Sequence, residues 1–106
     1  MSNMNVGNFH IKPVAGVLDE ALTVDDTEGG LQLDATVWTS ATRYVLIQVQ
    51  DNPVRVTFDG SAPTATNGFR YVANQIAEWS VPLARVAKFI REGAGDAVVH
   101  QQGLGD

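Results

Sequence analysis

The 106-residue chain has no cysteine, which excludes a disulfide framework and any thiolate metal site and leaves its redox compartment unmarked. Long apolar runs are also missing: none approaches the ~18 residues of a membrane-spanning helix. The opening residues MSNMNVGNFHIKPVAG lack the basic stretch and apolar block of a secretory leader. The expectation is a soluble protein with no membrane partner, not secreted by the general route. Basic residues are scarce, seven Lys and Arg against twelve Asp and Glu, and they form no basic run. Neutralising phosphates takes clustered cations, so nucleic acid is not an expected partner. Histidine occurs twice, at His10 and His100, with no Ser, Cys or carboxylate at motif spacing, so no nucleophilic triad is supported.

The acids that are present sit unevenly. Residues 1 to 34 hold one base, Lys12, against six acids, whereas residues 35 to 106 hold six of each, so the whole net charge of −5 belongs to the first third. That first third carries three Asn, several Gly and short apolar pieces without a sustained period of 3.6 or 2.0, and Pro13 and Gly16 argue against a helix running through. It reads as an extended acidic arm, residues 1 to 30, in which residues 18 to 24 fit either one helical turn or a short edge strand. Ordering such an arm costs backbone entropy, so apolar burial against a partner must offset it. Phe9, Ile11, Val14, Val17 and Leu18 are the candidate anchors, and the acidic surplus suits a basic protein surface.

Residues 31 to 106 read as one β domain, long enough to bury a single core. Apolar residues alternate with polar ones in 31 to 39, in RYVLIQVQ (43 to 50) and in VRVTF (54 to 58), the two-residue period of half-buried strands. Residues 69 to 73 are ambiguous, and 77 to 81 form a short strand stopped by Pro82. A strand over 83 to 91, a four-residue hairpin loop at 92 to 95 and a returning strand from 96 to 101 complete six or seven strands. The expected fold is all-β, a small antiparallel sandwich, Ig-like or a flattened barrel, with an extended N-terminal arm.

The chain is organised around residues 54 to 68, VRVTFDGSAPTATNG. Asp59 and Gly60 end the strand, the carboxylate able to accept bonds from backbone N–H groups beyond it and the glycine able to take positive φ. Pro63 donates no N–H and keeps the loop out of a sheet ladder. Thr64, Thr66 and Asn67 can bond the local backbone, and Gly68 closes the loop. Asp59, Gly60, Pro63, Thr64 and Gly68 are therefore candidates for a structural turn.

The run R-V-T-F-D-G-S-A-P-T resembles the Y-T-x-D-G-S-x-P-T signature of the small β-sandwich appended to chitobiases and β-hexosaminidases. It is more similar to a group of small tailed-phage virion proteins, in which R-x-T-x-D-G-x-x-P-T is followed by Gly, a short strand and a K-F-I-like strand. Here Arg55, Thr57, Asp59, Gly60, Pro63, Thr64 and Gly68, then Lys88, Phe89 and Ile90, carry the likeness, which spans residues 40 to 100. The chitobiase likeness implies a turn that is structural and outside any catalytic domain. The phage likeness implies a virion structural protein, in first place a capsid decoration or cement protein on the outer head lattice, assembled in the host cytoplasm. Its partners would be the major capsid protein or other virion proteins, and its own state a homo-oligomer, a trimer before a dimer by analogy with lattice symmetry axes. A neck, tail or head-fibre component is the rival within that class, and a carbohydrate-associated β-sandwich module is the rival from another.

No enzyme is expected, and no cofactor or metal. Asp25, Asp26 and Glu28 cluster, yet their spacing is not that of an EF-hand loop, and a solvated acidic turn is the default. Asp59 and Glu78 supply two carboxylates for a glycosidase pair, but Asp59 is already engaged as the turn's cap. Trp38 and Trp79 are expected in the core or at a seam, with an exposed sugar or partner platform as the alternative. Arg43, Arg55 and Arg70 flank the central stretch, and the sequence leaves open whether they pair within a sheet face or across a subunit seam.

Overall fold

The structure is a computed structural model and describes residues 12–13 and 20–105. Its spine is a pair of nine-residue antiparallel strands, β3 (Thr42–Gln50) and β8 (Ala97–Gly105). Period-two alternation puts Val45, Ile47 and Val49 inward, where they face Ala97, Val99 and Gln101 across the ladder or along it. Two strands flank β8 on its far side, β1 (Lys12–Pro13) beside Leu104 and Gly105 and β2 (Glu20–Val24) beside residues 97–101. Beyond β3 lies β6 (Ile76–Ser80), an edge strand.

A second, three-stranded antiparallel sheet packs over this one, with β4 (Val54–Thr57) between β5 (Phe69–Tyr71) and β7 (Lys88–Arg91). Val54, Val56 and Phe89 point inward from it and are fully buried against the valines of the larger sheet. The protein is a small antiparallel β-sandwich. Helix among the described residues is confined to a 3-10 turn at Ala35–Val37 and to α1 (Val81–Val86).

Four local expectations are corrected. The boundary at residue 30 is misplaced for its last third, because β2 pairs with β8 and fully buried Val24 belongs to the core. The segment after β2 also stays in the sandwich: Arg91 donates its N–H to the Asp25 carbonyl, and Leu31 and Phe89 exchange two 2.8 Å backbone bonds. Only five residues alternate in β2, too few to stand out against the irregular spacing before them. The anchor candidates Phe9, Ile11, Val14, Val17 and Leu18 lie outside the described residues.

The strand expected over 31 to 39 is a bridge at Leu31 followed by the 3-10 turn. Asp34 breaks the strand because its Oδ1 accepts from the N–H and hydroxyl of Thr36, an N-cap. Trp38 then swings inward, and its indole N–H donates 2.7 Å to Oε1 of Gln101, whose own amide donates to the Asp34 carbonyl. That pair explains why Gln101, 2% exposed, is tolerated among valines.

The strand expected over 83 to 91 is half helix. Ser80 is the N-cap of α1, with its hydroxyl accepting from the Leu83 N–H, and Pro82 sits in the first turn, where it has no N–H to lose. The 92 to 95 loop is a crossover between sheets and no hairpin, since β7 lies in the small sheet and β8 in the large one. Asn52 pins the crossover by donating 2.8 Å to the Asp96 carbonyl, and Arg91 binds the Asp96 carboxylate. Gly and acidic residues mark a turn in either topology, so composition alone does not separate the two.

Candidate functional site

The loop after β4 is built from short bonds that begin inside the strand. Thr57 donates its hydroxyl 2.6 Å to the Ser61 carbonyl, and Asp59 Oδ1 accepts from the Ser61 N–H at 3.0 Å and the Ser61 hydroxyl at 2.6 Å. Those bonds, the hydroxyl first and the N–H second, hold the Asp59 carboxyl below the ordinary 3.8. Gly60 supplies φ of +87° at the corner, and Lys88, reaching across from β7, donates 3.1 Å to the Gly60 carbonyl. Pro63 is fully buried, its ring lying over Gly30 and beside the Lys88 stem. Thr64 and Asn67 exchange backbone bonds of 3.1 and 3.2 Å, while the Thr64 hydroxyl accepts from the N–H groups of Thr66 and Asn67. Gly68 closes the loop at φ of +127°, so near β4 that a Cβ there would sit 3.0 Å from the Val56 carbonyl oxygen.

Residues from two distant stretches thus meet on one loop. Val56 faces Phe89 and Thr57 faces Lys88 in the β4–β7 ladder. Arg55 donates to the Gly68 carbonyl at 3.1 Å and clamps Glu92 through Nε and Nη2 at 2.9 and 2.8 Å. Arg70 binds the same carboxylate at 2.8 Å, and with Arg55 it holds the Glu92 carboxyl below its usual range. The question left open for these two arginines is answered within one sheet face. Arg43 lies elsewhere, donating to the Ser40 carbonyl.

Beside the loop lies a groove of about 420 Å3, lined by Val56, Phe58, Asp59, Ser61, Asn67 and Phe69 among others. Its floor is the end of an aromatic chain. Phe89 and Trp79 are buried with ring centroids 5.8 Å apart, Phe58 meets Trp79 edge-on at 5.1 Å, and Phe69 meets Phe58 at 5.8 Å. Phe69 is the outermost ring and is 67% exposed. No periodicity singles it out, because residues 69 to 73 carry no clear period; the signal available was its place directly after Gly68, at the mouth of the loop.

The tryptophans are both inside or at a seam. Trp79 is 5% exposed, and Trp38 is half-buried with the Arg85 guanidinium 5.4 Å above its ring. Asp25 and Asp26 do not act together: Oδ1 of Asp25 accepts from the N–H and hydroxyl of Thr27, while Asp26 pairs with Arg91 at 3.4 Å. Asp59 and Glu78 sit on different sheets, one in the loop after β4 and one on edge strand β6. His100 lies on β8 opposite Gln48 and Ala21, and His10 is outside the described residues. A scan against protein-family models gave no match, and neither did comparison with curated proteins or with solved structures.

Proposed function

We propose that this chain is a structural protein of a tailed-bacteriophage virion, a decoration or cement protein that binds the outer face of the head lattice and catalyses no reaction. The observation that supports this reading is the meeting of the signature residues on one loop. Arg55, Thr57, Asp59, Gly60, Pro63, Thr64, Gly68 and Lys88 all bond or pack on the same loop backbone, although Lys88 follows Asp59 by half a sandwich. Residues that serve one another in this way form one structural module, which supports weighing the likeness carried by these residues as a single motif. The partners proposed are the major capsid protein and further copies of the chain, and the location is the virion. The carbohydrate-module reading loses support from a tryptophan platform, since Trp79 is buried and Trp38 is half-buried with Arg85 over its ring.

Particles of the encoding phage assembled without this chain provide the test. Heads are expected to form but to lose their DNA at a lower temperature, and purified chain added back is expected to bind and restore heat resistance. Particles of unchanged heat resistance that do not take up added chain would overturn the decoration reading.

A further inference from the structure

The groove beside the Asp59 loop combines an open aromatic face with a half-used anion. Oδ1 of Asp59 carries both bonds from Ser61, whereas Oδ2 accepts no hydrogen bond from any other residue among those described. The cations of the loop point elsewhere: Lys88 to the Gly60 carbonyl, and Arg55 to Glu92 and the Gly68 carbonyl. Phe69 presents its ring at the mouth with Phe58 behind it. The volume, about 420 Å3, takes one long side chain.

The chemistry selects among occupants. A neutral apolar side chain covers the rings but strips water from the free carboxylate oxygen without replacing it, which costs binding. An acidic group meets like charge. A Lys or Arg side chain satisfies both halves, laying its methylenes on the rings, setting its cationic head within cation–π reach of them and giving the carboxylate a charge-assisted donor. The acidic surplus of residues 1 to 34, outside the groove, favours approach of the chain as a whole to a basic surface.

We propose that this groove is a receptor for a single Lys or Arg side chain projecting from the partner protein on which the chain docks. This rests on the reading of the chain as a protein that binds another protein's surface, and its test is run without particles so that the two stand or fall separately.

The test titrates the full-length, isotope-labelled chain with three blocked amino acids, N-acetyl-lysine, N-acetyl-arginine and N-acetyl-norleucine methylamides, and with N-acetylglucosamine, following backbone amide shifts. The cationic probes are expected to give saturable shifts confined to the amides lining the groove, and norleucine to bind about fivefold more weakly or less. Phe69→Ala, which removes the ring, and Asp59→Asn, which keeps an acceptor for Ser61 but removes the charge, are each expected to weaken the cationic probes by about fivefold. A dispersed amide spectrum checks that each variant is folded. Equal binding of norleucine, no saturable shift with the cationic probes, or tighter binding of N-acetylglucosamine would each overturn the proposal, the last by making the groove a sugar site. Absence of the chain from phage particles would overturn the virion reading and leave these shifts untouched.

Discussion

Gly68 is held to glycine by two constraints at once, a backbone φ of +127° and the Val56 backbone 3.0 Å from where a Cβ would stand. Gly60 has only the first, with φ of +87° and open space around it. Gly60→Ala is therefore expected to cost about 1–2 kcal/mol of conformational strain. Gly68→Ala is expected to cost more, about 2–4 kcal/mol, because β4 and β5 must part to admit the methyl group. Denaturant unfolding of both variants checks the order, and equal losses would mean that the close approach to Val56 relaxes freely. The charged residues of the loop make a different prediction. The Asp59 and Glu92 carboxyls are held below their ordinary 3.8 and 4.5 by bonds present only in the folded chain. A depressed folded pKa stabilises above the unfolded value and stops doing so as pH falls through the folded value. Melting temperature should stay level from about pH 7 to 5 and fall below about 4.5. Asp59→Ala should melt below the parent at neutral pH, and the gap should close in acid. A gap independent of pH would show that the carboxylate's charge contributes nothing to the turn.

Strands β3, β4 and β6 were legible because alternation runs through most of each and one face of each supplies core residues, Val45, Ile47 and Val49 on β3, Val54 and Val56 on β4 and Trp79 on β6. Other elements were not, for identifiable reasons. Alternation over residues 31 to 39 is real, but Asp34 converts it into a cap and a buried Gln101 draws Trp38 out of line, a long-range bond no local period reports. Pro82 reads as the end of a strand and is equally the start of a helix; the Ser80 cap two residues before it decides between them. In the candidate site the turn chemistry of Asp59, Gly60 and Gly68 is local and could be read directly. The groove could not, because it needs Phe58 and Phe69 brought together by the loop's closure. The element with most leverage is β2. A chain starting at Leu31 loses Val24 from the core and leaves β8 without its β2 neighbour along residues 97–101, with only β3 beside it. It is expected to be unfolded or to melt far below the full chain, and circular dichroism on the two will tell. Unchanged melting would return residues 20 to 30 to the arm.

At the scale of the whole molecule, the described residues close the sandwich on one side and leave it open on the other. On the closed side residues 25–31 run from β2 to the outer edge of β7, stitched by the Asp25 carbonyl and by the Leu31–Phe89 bridge. On the open side β5 and β6 are the edges of their sheets, and the two most exposed large apolar side chains among the described residues, Phe69 at 67% and Ile76 at 60%, lie on them. Open edges bearing apolar side chains are sites where further chains add. A homo-oligomer, a trimer before a dimer, is the expected state, and light scattering at micromolar concentration should return a multiple of 11.4 kDa. A monomer would contradict that expectation for the free chain. The proposed function itself is tested most directly by the number of copies of this chain in each purified particle of the encoding phage, measured by quantitative gel or mass spectrometry. A decoration protein on a head lattice predicts copies on the order of hundreds, following the lattice's symmetry. About a dozen copies or fewer would move the chain to the neck or tail, and none at all would contradict the virion reading.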